Sequence, residues 1–195
     1  MLARLGGWLF KYRTSIPLPI VAALLLIPAR ASATSLSTSV AWLGVPTVAL
    51  GEAVRLWAVH HIGVISRTRS DRLGPLIDTG PFSLVRNPLY LGNILLWAGF
   101  AVIAHLFWLA PVVAVLLALE YHAIVRWEER LLESRIGAPY RAYTARVPRW
   151  LPRLGAPLAA PSGGAFSWVE TFYSERGTLI AIAAGYVLLW AKSRI

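Results

Sequence analysis

The amino-acid sequence predicts an all-α integral membrane protein, a polytopic bundle of about five transmembrane helices. Hydrophobic residues make up 57% of the 195 positions and charged residues only 14%, whereas roughly a quarter of a soluble domain is charged. Several apolar runs approach or exceed the length of about 20 residues that a helix needs to cross a bilayer. The chain contains no cysteine, which excludes disulfides and thiolate chemistry.

Two apolar runs near the N-terminus predict the first two crossing helices, over 16–32 and 40–62. The preceding segment, 1–13, is basic and amphipathic, and we interpret the first run as a retained helix rather than a cleaved signal. Within the second run, Glu52 and Arg55 lie three residues apart on one helical face, so they are expected to neutralise each other.

A tight helical hairpin is predicted over 89–126. Its first helix, 89–109, carries no charge, and Pro111 opens the second helix, 110–126. Polar, turn-rich sequence flanks the hairpin on both sides, over 63–88 and from position 127 onward. Because the two helices return the chain to the same side, these polar segments are expected to lie close together.

The last apolar run, 178–190, is short, but a helix that begins near Phe172 is long enough to cross the membrane. Crossing would place Lys192 and Arg194 on the side that carries few basic residues. A helix lying on the membrane surface would avoid this. We favour the crossing helix.

Positive charge is concentrated on one side of the predicted bundle. The net charge is +10, and fourteen of the nineteen Lys and Arg residues lie in the N-terminal segment, 63–88 and 126–153. These three segments share a side, which the positive-inside rule makes cytoplasmic, at the inner membrane if the source is bacterial. Basic residues that lie between apolar runs fit lipid headgroups and topology signals rather than nucleic acid.

The first polar segment carries a motif at the start of the hairpin. It runs from Leu76 through two glycine-containing turns to Arg86-Asn87-Pro88-Leu89-Tyr90. Pro88 is placed to start a helix, whose N-terminal N–H groups can hold a carboxylate or another anion. The alternative is an interfacial loop in which Arg86 contacts lipid phosphate.

The second polar segment continues the hairpin helix. Arg126 and Glu129 lie three apart on one face, whereas Glu128 and Glu129 project in different directions, so at most one glutamate is expected to point inward with Arg126. The segment continues through Gly137, two tyrosines and a Val-Pro step. The alternative is a solvated helix end with ordinary surface ion pairs.

The two segments together resemble the isoprenylcysteine carboxyl methyltransferase family and its bacterial relatives, which include phospholipid methyltransferase-like membrane proteins. The resemblance rests on residues over 63–153. The matching residues are Leu76, Ile77, Gly80, Phe82, Arg86 to Gly92, Glu128 to Leu132, Gly137, Tyr140, Tyr143, Val147, Pro148 and Pro152. Asn87 departs from the family, where histidine is usual, and it cannot titrate.

The resemblance implies S-adenosylmethionine as methyl donor, S-adenosylhomocysteine as product, and a cofactor pocket at the cytoplasmic side. The implied cofactor-binding residues are Gly74, Pro75, Leu76, Ile77, Phe82, Arg86, Asn87, Pro88, Leu89, Tyr90 and Glu129. The implied catalytic residues are Arg126, facing the acceptor, and Glu129. The chain then divides into N-terminal helices (1–62), a methyltransferase core (63–155), and a linker with a final membrane helix (156–195).

The acceptor is expected to be a lipophilic molecule that reaches the site through the bilayer. A carboxylate such as that of prenylcysteine needs no general base and would pair with Arg126. An amine or thiol would need a base, for which Glu128 and Glu129 are candidates. A sterol-type reductase using NADPH and a non-catalytic membrane protein remain alternatives. The histidines show no recognisable metal-ligand motif, and no metal is expected; the sequence leaves the oligomeric state open.

Overall fold

The computed structural model describes residues 2–28, 35–62, 76–153, 155 and 167–194, and across these ranges it contains helices and no strand. The helices are α1 (Leu2–Tyr12), α2 (Leu18–Leu26), α3 (Ser35–Trp42), α4 (Gly44–Ile62), α5 (Pro88–Ile103), α6 (Leu109–Ile136), α7 (Ala138–Arg146) and α8 (Trp168–Lys192), with a short 3₁₀ turn, Gly80–Ser83, before α5. The predicted all-α class is confirmed for this part of the chain.

Helices α4 and α5 form the most extensive helix pair. Their backbones meet at glycines: a Cβ atom on Gly44 would lie 2.6 Å from the Gly99 carbonyl oxygen, and one on Gly51 would lie 2.7 Å from that of Gly92. Small residues allow this close approach of two helices in an apolar environment. The order of the contacts makes α4 and α5 antiparallel, so the end of α4 lies beside the start of α5.

The predicted hairpin is confirmed, with different bounds. Helix α5 ends at Ile103, and α6 begins at Leu109 after a five-residue connection in which His105 adopts a left-handed backbone conformation with φ of 58°. Helix α6 continues ten residues beyond the predicted end at 126, since the charged sequence that follows remains helical and carries two glutamates to the end of the bundle.

Prolines explain why the first two predicted runs are not single helices over their whole lengths. Pro17 and Pro19 flank the start of α2, which ends two residues before Pro28. The predicted helix over 40–62 is divided at Leu43 into α3 and α4. Pro46 has no N–H to bond to the carbonyl four residues earlier, so a helix cannot continue unbroken through this point.

Helix α8 is longer than the apolar run that predicted it. A capping box between Ser167 and Glu170 starts the helix, which then extends over 25 residues, or about 37 Å. Near its start, Trp168 stacks on His60 at the end of α4, with ring centroids 4.2 Å apart. At its other end, Lys192 Nζ donates to the carbonyl oxygens of Leu24 and Ile27, 2.5 and 2.6 Å away.

Lys192 therefore lies at the C-terminal end of α2, where a cation offsets the helix dipole and satisfies terminal carbonyl groups. Its positive charge has an intramolecular partner, whichever side of a membrane it occupies. Helix α8 thus reaches from the end of α4 to the opposite end of the bundle.

Among the described helices, α6 is both long and apolar enough to cross a membrane by length and composition, and α5 is apolar but shorter. Exposed apolar side chains, among them Val112, Val115 and Leu119, line the outer face of α6. The count of five crossing helices stays a prediction, as does the division of the chain at 62 and 155.

Candidate active site

A cleft lies at the end of the bundle where α4 ends, α5 begins and α6 projects beyond the apolar part of the hairpin. Its lining residues are Ile62, Leu76, Ile77, Phe82, Arg86, Asn87, Val125, Glu128, Glu129, Leu132, Ile136, Tyr140 and Tyr143. One face is therefore aliphatic and aromatic, and the other carries two carboxylates and a guanidinium. The two polar segments that the hairpin was predicted to bring together do meet here.

The charged wall of the cleft is an ion cluster of two arginines and one glutamate. Arg86 Nη1 donates to Glu129 Oε1 over 2.6 Å. Arg149 binds the same carboxylate at two points, with Nε 2.9 Å from Oε1 and Nη2 2.7 Å from Oε2. These hydrogen bonds to Glu129 raise the pKa of Arg149. The Glu129 carboxylate is thus oriented from both sides.

Glu128 lies in the same cleft, although the expectation was that at most one of the two glutamates would point inward. Its Oε2 accepts a hydrogen bond of 3.1 Å from the Tyr90 hydroxyl on the first turn of α5. Both glutamates reach the cleft since it lies across the end of α6 and receives side chains from neighbouring positions. The expectation of a single inward glutamate was wrong.

Two tyrosines of α7 close the cleft. The Tyr143 hydroxyl donates to the Phe82 carbonyl oxygen over 2.9 Å, which ties α7 to the 3₁₀ turn. Burial raises the pKa of Tyr140 to about 12; the nearby Glu129 carboxylate adds to this rise, and the Arg86 guanidinium opposes it. Burial likewise raises the pKa of Tyr143. Both hydroxyls therefore stay protonated, and can donate, at neutral pH.

The segment after α7 is fastened to the start of the hairpin by main-chain contacts. The Arg86 N–H donates to the Pro148 carbonyl oxygen over 2.9 Å, and the Arg153 N–H donates to that of Leu84 over 3.0 Å. Between them, the Asn87 side-chain amide donates to the Arg149 carbonyl oxygen over 3.1 Å. Asn87 therefore has a definite position, in which its N–H holds the backbone that carries Arg149.

The structure brings most of the predicted site residues together. The predicted residues that line the cleft are Leu76, Ile77, Phe82, Arg86, Asn87 and Glu129. Pro88, Leu89 and Tyr90 form the first turn of α5 behind this lining, and Gly74 and Pro75 lie outside the described residues. Arg126 is exposed and does not line the cleft, so its role toward an acceptor stays a prediction.

The predicted cofactor-binding and catalytic residues did not include the polar cleft residues Glu128, Tyr140 and Tyr143 or the neighbouring Arg149, although Glu128 was named as a candidate base. The first three belong to the motif that carries the resemblance, so the signal was present in the sequence. Neighbouring positions of a helix project in different directions, and this spacing predicted that only one of the two glutamates points inward. Arg149 had no signal beyond its position in a basic segment, since its pairing with Glu129 spans twenty residues and depends on how α7 folds back.

A second ion cluster lies among α4, α5 and α8, away from the cleft. Arg55 Nη2 lies 2.6 Å from Glu175 Oε2, and Arg55 Nε lies 3.5 Å from Glu52 Oε2, as the spacing of the latter pair predicted. Arg55 also donates to the side chains of Asn93 and Thr178. This cluster fixes α8 against α4. No group of three or more histidines or acids suited to a metal occurs in the parts of the chain that the structure describes.

These features define a helical protein with an apolar hairpin and a candidate site where polar segments meet at one end of the bundle. Residues 39–138 match the family model described as "Phospholipid methyltransferase". The chain belongs to this family of membrane methyltransferases, which confirms the resemblance seen in its motifs. The match begins in α3 and ends at the start of α7.

Two curated relatives are bacterial proteins named for metal resistance. The chain is 32% identical over 135 residues to "Cobalt-zinc-cadmium resistance protein CzcN" of Cupriavidus metallidurans, covering 69% of this chain and 59% of that protein. It is 32% identical over 121 residues to "Nickel-cobalt-cadmium resistance protein NccN" of Alcaligenes xylosoxydans xylosoxydans, covering 62% and 54%. The chain thus spans little more than half the length of these relatives. No solved structure matches it.

Proposed function

We propose that the protein transfers a methyl group from S-adenosylmethionine to a lipophilic acceptor carried in the membrane. The observation that supports this most directly is the cleft itself. It combines the arginine and glutamate side chains of both family motifs with aromatic residues, at the end of an apolar hairpin. A soluble cofactor and a membrane-borne acceptor could both reach such a position.

The cleft residues fit one end of the cofactor. The free volume among them is about 140 Å³, below the roughly 300–1,000 Å³ of a pocket that encloses a drug-sized ligand. The described cleft therefore accommodates the methionine end rather than the whole molecule. Arg86 Nε is buried and has no hydrogen-bond partner among the described residues, so this donor suits a ligand carboxylate.

The cleft also offers partners for the two positively charged groups at the methionine end of the cofactor, the ammonium and the sulfonium. The ligand ammonium suits Glu128, whose described hydrogen bond is to Tyr90. The family resemblance implied Glu129 as a cofactor-binding residue, but both Glu129 oxygens already bind arginine. The aromatic rings of Phe82 and Tyr140 suit the sulfonium, since ring faces attract cations. When bound, the cofactor supplies the methyl group, and these side chains align it with the acceptor.

For the acceptor, the leading proposal is a carboxylate such as that of prenylcysteine. Arg126 is exposed on α6 and follows the cleft residue Val125 in the sequence, so it could pair with a carboxylate outside the cleft. A second candidate is an acceptor with an N–H group, for instance an amino headgroup. The position of Glu128 in the cleft favours it, because that carboxylate could take the proton from nitrogen.

We further propose that the helices cross the membrane several times, with the cleft on the cytoplasmic side. The concentration of basic residues around the cleft supports this orientation. Helix α8, at about 37 Å, is longer than the apolar core of a bilayer, about 30 Å, and extends between opposite ends of the bundle. Its length supports a crossing rather than a surface position.

Calorimetry on the purified full chain in detergent tests the cofactor. Wild type should bind S-adenosylhomocysteine with micromolar affinity, and Arg86→Gln and Glu129→Ala should lose this binding. Arg141→Gln, which changes an exposed arginine of α7, is the matched control and should bind normally. Binding of NADPH with no response to S-adenosylhomocysteine would overturn the proposal in favour of a reductase.

The acceptor is tested by transfer from methyl-labelled S-adenosylmethionine to a panel of prenylcysteine, aminophospholipid and quinone-like compounds. A prenylcysteine product that is lost in Arg126→Ala supports the carboxylate proposal. Methylation of an amine that is retained in Arg126→Ala, and that Glu128→Gln lowers by more than it lowers binding of S-adenosylhomocysteine, supports the second candidate instead.

A further inference from the structure

Arg149 lies beside the cleft and is the strongest partner of Glu129. Its guanidinium meets both carboxylate oxygens, whereas Arg86 meets only Oε1. About a quarter of the Arg149 side chain is exposed, against 15% for Glu129 and 14% for Arg86. The three groups therefore form a mostly buried cluster in which Arg149 is the outermost member.

The cluster carries one net positive charge, since two guanidinium groups face one carboxylate. Arg149 binds Oε2 and so keeps that oxygen away from Arg86. Arg86 is left with a single bond to Glu129 and with a buried Nε that has no hydrogen-bond partner among the described residues. A buried donor without a partner is costly, and a ligand anion would relieve that cost.

The backbone of Arg149 is held in register with Arg86. Main-chain bonds join Arg86 to Pro148 and Arg153 to Leu84, and the Asn87 side chain binds the Arg149 carbonyl oxygen. The Arg149 side chain therefore starts from a fixed point on the other side of Glu129. This arrangement depends on Asn87, the residue at which the chain departs from the family pattern.

We propose that Arg149 is a positioning residue. By holding Glu129 at two points, it leaves one donor of Arg86 free and gives the cluster a net positive charge. Both effects favour the carboxylate of the ligand. Without Arg149, the Glu129 carboxylate could turn to pair with Arg86 at two points. That pair would have no net charge and would occupy a second donor of Arg86. The identity of the ligand rests on the function proposed above, whereas the arrangement of the cluster does not.

A purely structural role for Arg149 predicts a different result. An ion pair that only fastens the segment after α7 would lower stability when removed, and would weaken any ligand to the same extent. A role in presenting Arg86 changes the discrimination between ligands with and without a carboxylate. The experiment therefore compares two ligands that differ in this group alone.

The test is calorimetry on the purified full chain with S-adenosylhomocysteine and its decarboxylated analogue. Wild type should prefer S-adenosylhomocysteine by roughly tenfold or more, as expected for a hydrogen bond to a charged group. Arg149→Gln should reduce the preference to about threefold or less, mainly by weakening S-adenosylhomocysteine. Arg149→Lys keeps the charge without the two-point geometry, and its preference should fall between the two.

Arg141→Gln is again the matched control and should keep the wild-type preference. Thermal unfolding of each variant reports whether it is folded. If Arg149→Gln does not fold, the comparison of the two ligands is made with Arg149→Lys instead. Equal weakening of both ligands by Arg149→Gln, or an unchanged preference, would overturn the role of Arg149. A wild type that binds both ligands equally also overturns it but leaves the proposed cofactor in place, whereas a wild type that binds neither overturns the proposed function itself.

Discussion

Gly51 of α4 and Gly92 of α5 lie back to back, so close that a Cβ atom on Gly51 would lie 2.7 Å from the Gly92 carbonyl oxygen. This contact sets the position of the cleft. Helix α4 contributes Ile62 at its end and α5 is preceded by Asn87, and both residues line the cleft. The contact therefore holds together two helices whose neighbouring ends both border the cleft.

Gly51→Ala should destabilise the fold. The added methyl group meets backbone atoms of α5, which cannot move aside as a side chain can, and over-packing of this kind costs about 1–3 kcal/mol. Thermal unfolding in detergent measures the loss. Gly177→Ala is the control, because a Cβ there meets nothing within 4 Å and alanine favours the helix by roughly 1 kcal/mol. Equal stability of Gly51→Ala and wild type would contradict the close contact.

The buried ion cluster of α4 and α8 should contribute far more to stability than a surface pair. Glu175→Ala leaves Arg55 without its closest carboxylate in a buried position, and such a loss costs on the order of 3–5 kcal/mol. Asp78→Asn removes the exposed pair with Arg146, whose atoms are 3.6 Å apart, and should change stability by less than about 1 kcal/mol. Chemical unfolding compares the two. Similar losses would show that the Arg55 cluster does not fasten α8.

Alkaline pH should weaken the fold through Tyr140. Its pKa in the folded protein, about 12, lies above the ordinary value of 10, so the folded state holds the proton more strongly than the unfolded state. The stabilising contribution is complete below pH 10 and is lost as the pH rises toward 12. Unfolding measured across this range should show a loss on the order of 2 kcal/mol.

The Tyr140→Phe variant provides the control for that experiment, because it removes the titrating hydroxyl and keeps the ring. Its stability should vary less with pH between 10 and 12 than that of wild type. The ultraviolet absorbance of tyrosinate, compared between the two proteins, reports the ionisation directly. Appearance of the Tyr140 signal near pH 10 would contradict its burial.

Asn87→Asp should weaken the contact between the two polar segments. The new carboxylate has the same shape but cannot donate to the Arg149 carbonyl oxygen, which it repels instead. The expected loss in unfolding free energy is about 1–3 kcal/mol, with weaker binding of S-adenosylhomocysteine. Asn87→His, which restores a side-chain N–H, should lose less in both measurements. If Asn87→Asp matches wild type, the amide is not what holds Arg149.

The large features of the fold could be predicted from the sequence, because they depend on local properties. Composition and apolar run length gave the all-α class and the hairpin over 89–126, and Pro88 marked the start of α5. The predicted helix bounds were less accurate in two places. Proline divides the predicted helix over 40–62 into α3 and α4, and the charged end of α6 stays helical beyond 126. The length of α8 also exceeded its apolar run, since a capping box rather than hydropathy determines its start.

The sequence by itself determined that two polar segments carry the candidate site and that Arg86 and Glu129 belong to it, since both lie in motifs flanking one hairpin. Only the tertiary structure decided which partners these residues take. It placed Glu128 beside Glu129 in the cleft, left Arg126 exposed, and brought Arg149 across to pair with Glu129. Spacing along one helix predicts neighbours on that helix, whereas these pairings depend on how α7 and the following segment fold back against the start of α5.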